Sequence, residues 1–112
     1  MARMGLLIDI DSCCGCHTCE IACQKEHGYG VETWGIKCEQ VGPHIYKEQD
    51  TVVFDIVPIP TKLCDLCGER VSQGKLPTCV KHCQTQCMKF GPVEELAKEL
   101  EDKPRQVLFA PK

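Results

Sequence analysis

Aromatic side chains are scarce: one Trp, two Tyr and three Phe make up 5% of 112 residues. A chain this short is one domain by length and buries a limited share of its surface. Its 43% hydrophobic content is inflated by eleven cysteines, so the ordinary aliphatic core is thin. Basic charge is lacking too. The formal charge is -3 and no two Lys or Arg residues are adjacent, which excludes the field expected of a nucleic-acid-binding protein. Near the N-terminus the only apolar run is Leu6, Leu7 and Ile8, stopped by Asp9. That is too short for a signal peptide or a membrane span, so the expectation is a cytoplasmic chain with no direct membrane span. GxSxG, Walker and GxGxxG motifs are all absent, as is any carboxylate pair with a defined site, so the chain carries no constellation for substrate chemistry.

What is abundant is cysteine, and ten of the eleven fall in two blocks, 13–23 and 64–87. Within the first, Cys13, Cys16, Cys19 and Cys23 have the spacing CxxCxxCxxxC, which bacterial ferredoxins use to hold 4Fe-4S clusters. A disulfide scaffold is the first alternative. It is opposed by the odd count, the missing export signal and the strain of bridging neighbours among four thiols packed into eleven residues. A zinc-binding structural module is the second, since Cys13/Cys16 and Cys64/Cys67 are CxxC knuckles. Zinc, however, leaves the third and fourth thiols of the first block unused.

The second block reads Cys64, Cys67, Cys79 and Cys83, CxxCx11CxxxC, keeping the outer intervals of the first. Its longer middle interval contains Gly68, Gly74 and Pro77, which suit a surface loop. The repeat of thiol spacing implies two clusters. In two-cluster ferredoxins the fourth cysteine of each run serves the other cluster. By that likeness, cluster one is held by Cys13, Cys16, Cys19 and Cys83, and cluster two by Cys64, Cys67, Cys79 and Cys23.

Further residues make the likeness more specific: Ile8-Asp9, the run CxGCHTCEIAC ending at Ala22-Cys23, Lys62-Leu63-Cys64-Asp65-Leu66-Cys67, Pro77-Thr78-Cys79-Val80-Lys81-His82-Cys83 and Lys89-Phe90-Gly91. The chain resembles the dicluster 4Fe-4S electron-transfer subunits of molybdopterin and tungstopterin oxidoreductases. The resemblance implies two 4Fe-4S clusters and no catalytic residues. It also implies single-electron relay between a larger catalytic oxidoreductase subunit, of molybdopterin or tungstopterin type, and a further electron carrier. A free, diffusible ferredoxin is the alternative. Well-studied members carry four cysteine motifs where this chain has two, making it a reduced version. Proline often follows the last cysteine of such motifs, but here Gln24 follows Cys23 and Gln84 follows Cys83.

The expected fold is α+β, a bacterial dicluster ferredoxin-like fold with a β-hairpin insertion between the motifs. It forms one 4Fe-4S ferredoxin-type domain over 1–112: motif one at 13–23, the hairpin at about 31–60, motif two at 64–83, and a C-terminal helix and strand at about 91–110. Residues Leu6 to Ile10 read as a strand leading to Gly15, which lets the backbone turn closely round the metal. Glu20 to Glu26 reads as helix with Ile21 inward, ended by Gly28 and Gly30. Trp34 to Val41 and Thr51 to Val57 read as the hairpin strands, with Pro58 and Pro60 marking the exit. Pro92 opens a helix whose stripe is Val93, Leu96, Ala97 and Leu100, and Gln106 to Ala110 forms a last strand.

Three cysteines stand outside the eight-thiol set. Cys14, Cys38 and Cys87 suit buried packing, and Cys87, which repeats the x3 interval after Cys83, is the alternative ligand. His17 and His82 sit inside the cluster loops, where an imidazole tunes potential without replacing a thiolate. Trp34 serves as hairpin core or interface anchor.

Overall fold

Strand β1 (Met4–Asp9) carries Leu6, Leu7 and Ile8, the run that was too short to span a membrane, and all three are at most 1% exposed. Their side chains alternate between the two faces, so both faces of β1 are covered, and its two edges are paired because it is the middle of a three-stranded antiparallel sheet. Strand β4 (Met88–Pro92) pairs on one side, with Ile8 opposite Met88, and β5 (Gln106–Phe109) on the other, with Ile8 opposite Val107. The computed structural model describes residues 3–13 and 15–111, so Cys14 lies outside the described residues. The chain is mixed α and β: helices α1 (Thr18–His27), α2 (Gly68–Ser72), α3 (Thr78–His82) and α4 (Val93–Glu99) join five strands, with a 3-10 turn at Ile10–Ser12.

Strands β2 (Ile36–Tyr46) and β3 (Thr51–Pro60) pair antiparallel as a separate two-stranded sheet. Both run further than the sequence reading gave them. Gly42 lets β2 continue past Val41: it stands at the register shift between Val41 and His44 with φ 94, and a Cβ there would come within 2.1 Å of the Val53 carbonyl oxygen. Pro58 lies within β3, and Pro60, its last residue, marks the exit. A two-stranded sheet leaves each strand a free edge, where a missing N–H breaks no ladder bond. Pro92 likewise ends β4, an edge strand opposite Met4, and stands just before α4 rather than inside it.

Helix α1 begins at His17 in a left-handed conformation (φ 61) and ends at left-handed Gly28 (φ 69), whose N–H reaches the Gln24 carbonyl. Its buried residues are Cys19, Glu20 and Cys23, while Ile21 is 53% exposed. Ile21 therefore does not point inward as its hydrophobicity suggested. The two thiols, four positions apart, claim the inner face, and Ile21 falls on the other side of the helix. The side chain of Gln24, where related motifs often have proline, brings Nε2 within 3.3 Å of the Gly30 carbonyl oxygen and 3.1 Å of those of Val31 and Thr33. It gathers the loop that follows α1.

The C-terminal stripe is narrower than its periodicity. In α4 only Leu96 is buried; Val93 is half-buried, while Ala97 and Leu100 are exposed. Seven residues give two turns of helix, too few for a four-residue stripe to reach the sheet. No helix among the described residues is long and apolar enough to cross a membrane.

The hydrophobic core confirms the shortage noted in the composition. Ile8, Ile36 and Met88 cluster with Cys19, Cys23, Cys38, Cys79 and Cys87, so cysteine is the majority residue where aliphatic side chains would otherwise meet.

Candidate metal centre

The motif-one loop leaves β1 through the 3-10 turn and enters α1 between Cys16 and Cys19. Gly15 has φ +75, and a Cβ on it would sit 2.3 Å from Cδ1 of Ile56 on β3. Its lack of a side chain makes room for the hairpin as well as for the turn. In motif two, the Asp65 carboxylate accepts the Cys67 N–H at 2.9 Å, an Asx turn that holds Leu66 (φ 59) and Cys67 (φ 52) in the left-handed region. Cys67 then opens α2, Cys79 is buried in the first turn of α3, and Cys83 follows the end of α3.

Packing of the elements sorts the thiols into two groups. Cys13, Cys16, Cys19 and Cys83 line one small, almost wholly apolar cavity, joined there by Cys38 and Cys87. Cys23 feels the charge of Cys67 and Cys64, and Cys79 that of Cys67, Cys64 and Cys23, while Cys19 feels that of Cys38 and Cys79. Cys19, Cys23, Cys38, Cys67, Cys79, Cys83 and Cys87 form no disulfide.

The electrostatics of these groups fit a metal cluster. Burial, followed by the neighbouring Cys67 and Cys64, pushes the Cys23 thiol up to about 11. Burial and the same pair drive Cys79 well above its ordinary value, and burial raises Cys67. Burial and the hydrogen bond with Cys83 push Cys87 up to about 12. The Cys19 thiol is raised strongly, by its hydrogen bond to Cys38 first and burial second. Crowded, desolvated thiols resist ionising beside one another, and iron supplies the positive charge that deprotonates them. Four sulfurs in a dry site are the donor set of a 4Fe-4S cluster.

Gly35 completes the second group. A Cβ on it would stand 2.6 Å from Cys23 Sγ, and its backbone N–H donates to that sulfur. Thr61 holds it from behind: the hydroxyl donates to the Trp34 carbonyl at 2.7 Å, and the Thr61 N–H to that of Gly35 at 2.8 Å. Gly35→Ala is expected to displace the Cys23 sulfur and remove iron from the second group alone, read as a halving of bound iron with the other cluster's electron paramagnetic resonance (EPR) signal intact.

Each histidine in the cluster loops has an oxygen partner, and His17 also lines the cavity of the first thiol group. His17 Nδ1 lies 2.8 Å from Glu20 Oε1, and His82 Nδ1 lies 2.9 Å from the Thr78 carbonyl oxygen. The imidazole that does approach a ligand sulfur is His27, which the motif reading passed over. Its Nε2 is 3.4 Å from Cys67 Sγ, and its ring stacks on Tyr29 at 5.5 Å. The available signal was spacing, because His27 lies one helical turn beyond Cys23 on the same face. Glu20 was also passed over. Only 8% exposed, it accepts the Cys38 N–H at 2.7 Å through Oε2 and faces His17 through Oε1, clamping α1 to β2. Trp34 is half-buried at the hairpin base, with Lys37 Nζ 4.6 Å from its ring centroid.

Comparison with known proteins agrees with this donor set. The family model described as "4Fe-4S dicluster domain" matches residues 37–93, just over half the chain, taking in the hairpin and the second cysteine block. The B subunit of the anaerobic dimethyl sulfoxide reductase of Escherichia coli (strain K12) is 31% identical over 94 residues, which are 84% of this chain and 34% of the relative. The probable anaerobic dimethyl sulfoxide reductase subunit YnfG of the same strain is 32% identical over 91 residues, 81% of this chain and 33% of that one. Formate dehydrogenase 2 subunit beta (cytochrome c-553) of Nitratidesulfovibrio vulgaris (strain ATCC 29579 / DSM 644 / CCUG 34227 / NCIMB 8303 / VKM B-1760 / Hildenborough) is 52% identical over 33 residues, 30% of this chain and 15% of the relative. The chain spans about a third of the length of the dimethyl sulfoxide reductase relatives. With Cys19, Cys23, Cys67 and Cys79 buried in the core and a family model laid across the hairpin and second motif, the chain belongs to the 4Fe-4S dicluster domain family, and its cofactors are two 4Fe-4S clusters.

Proposed function

We propose that this chain is the electron-transfer subunit of an oxidoreductase, relaying single electrons through its two clusters between a larger molybdopterin- or tungstopterin-type catalytic subunit and an external carrier. The observation that supports the reading is that Cys83 of the second motif lines one cavity with Cys13, Cys16 and Cys19, while Cys23 of the first motif feels the charge of Cys67 and Cys64. A 4Fe-4S cluster held by four thiolates supplies one-electron uptake and release. In this reading Cys13, Cys16, Cys19 and Cys83 hold cluster one, and Cys64, Cys67, Cys79 and Cys23 hold cluster two. Cys87, with Sγ 3.5 Å from that of Cys83, is the substitute ligand at cluster one. The whole chain acts as one ferredoxin-type domain with the β2–β3 hairpin inserted between its motifs.

The names of the relatives support the partner: the B subunit of a dimethyl sulfoxide reductase and subunit beta of a formate dehydrogenase are each one part of a larger assembly. The chain's own residues position the sulfurs, exclude water from them and donate hydrogen bonds to them. Anaerobic purification of the native protein tests the proposal. About eight irons and eight inorganic sulfides per chain are expected, with co-elution of a larger subunit on size exclusion. Elution of the iron-loaded chain alone would identify a free ferredoxin, and zinc without sulfide would overturn the reading altogether.

A further inference from the structure

Cys38 belongs to neither motif, lies in the middle of the chain on strand β2, and yet reaches the first thiol group. Its Sγ stands 3.4 Å from Cys19 Sγ, and the residue is 6% exposed. Its position is held from two sides. The Cys38 N–H donates to Glu20 Oε2 at 2.7 Å, so the helical turn that carries Cys19 also grips the backbone of Cys38. Across the hairpin Cys38 pairs with Pro58, itself less than 2% exposed. A side chain clamped in this way keeps its distance from Cys19.

We propose that the Cys38 thiol donates an S–H···S hydrogen bond to the Cys19 sulfur when that sulfur binds iron, and thereby raises the reduction potential of cluster one. The direction of the bond follows from the ligand set proposed above, on which this inference rests. An iron-bound Cys19 is a thiolate with no proton to give, so the proton between the two sulfurs belongs to Cys38. With four thiols already assigned to the cluster, Cys38 remains a positioning residue and not a fifth ligand. Hydrogen bonds to cluster sulfurs are one of the protein's levers on potential. Reduction adds one electron and increases negative charge on the sulfurs, so a donor stabilises the reduced state more than the oxidised one. The bond is buried, where a charge-assisted hydrogen bond is stronger than in water. The proposed bond transfers no proton, and the electron comes from the reductant used in the titration.

The test is an EPR-monitored redox titration, with dithionite as reductant, of the iron-loaded protein and of Cys38→Ala, Cys38→Val and Cys38→Ser. Cys19→Ala, which loses cluster one, assigns the signals. In Cys38→Ala and Cys38→Val the midpoint of cluster one is expected to fall by about 59 mV, a tenfold change in a one-electron equilibrium, with cluster two unmoved. Cys38→Ser keeps a donor and is expected to restore most of the shift. Valine fills the volume without a donor, so a packing defect in the alanine variant does not stand in for the effect. An unchanged cluster-one midpoint in either variant overturns the proposal. So does failure of cluster one to assemble in both alanine and valine variants, which would make Cys38 a requirement of assembly. Survival of both clusters in Cys19→Ala would instead show that the ligand set had failed, separately from the hydrogen bond.

Discussion

Cys23→Ala is expected to leave about four irons per chain instead of about eight, and the cluster lost is the one carried by the second motif. Cys23 lies in the first motif, four residues after Cys19 on the same face of α1, yet the two sulfurs have different neighbours. Cys19 opens toward Cys38, and Cys23 toward Cys67 and Cys64. Removing Cys23 leaves Cys64, Cys67 and Cys79 one thiolate short, while the cavity lined by Cys13, Cys16, Cys19 and Cys83 keeps all four. Iron and sulfide analysis with EPR of the reduced protein checks the outcome. Loss of the cluster held by Cys13, Cys16 and Cys19, with the other intact, would sink the crossed assignment.

Ile8→Ala is expected to destabilise the folded, iron-loaded protein by about 2–5 kcal/mol, the range for truncating a fully buried aliphatic side chain. Ile8 is 0% exposed in the central strand, between Met88 and Val107. It also belongs to the cluster containing Cys19, Cys23, Cys38, Cys79 and Cys87. A cavity there loosens the sheet and both thiol groups at once, and few other aliphatic side chains share the load. Against a typical total of about 5–15 kcal/mol the loss is large. The thermal midpoint, followed by bleaching of the cluster absorption, should drop by about 10 °C or more. Ile21→Ala provides the control. At 53% exposure in an outward position its expected effect is within about 0.5 kcal/mol. Equal effects at the two positions would contradict the placement of α1.

Cofactor chemistry was legible in the primary structure because a cluster loop is a local object. The intervals between Cys13, Cys16, Cys19 and Cys23 depend on a few consecutive backbone angles, and so do those between Cys64 and Cys67 and between Cys79 and Cys83. The positions of β1 and β5 were legible for a similar reason, since short apolar runs bounded by polar residues leave few alternatives. The inward placement of Ile21 failed because hydrophobicity is only one claim on a helix face. Cys19 and Cys23 claim the same face, and their burial outweighs that of a single isoleucine. Strands β2 and β3 were found but cut short at Gly42 and Pro58, residues that act as breakers except where a bulge or a free edge accommodates them.

The four residues that surround the ligands show where linear reading ends. Cys38 and Gly35 carry no motif spacing, and neither the place of Glu20 inside the first motif nor the helical spacing of His27 from Cys23 tells which segment each will meet. Cys38 reaches Cys19 across nineteen positions of chain and His27 reaches Cys67 across forty. Glu20 and Gly35 matter through a 2.7 Å bond to β2 and a 2.6 Å approach to Cys23. Residue types and short intervals were enough to specify iron and its two clusters, because thiolate chemistry and loop geometry are local properties. Which neighbours approach those sulfurs followed from the packing of α1 against α3 and of the hairpin against α1. Those contacts join segments that are remote along the chain, and no interval in the sequence encodes a distance of that kind.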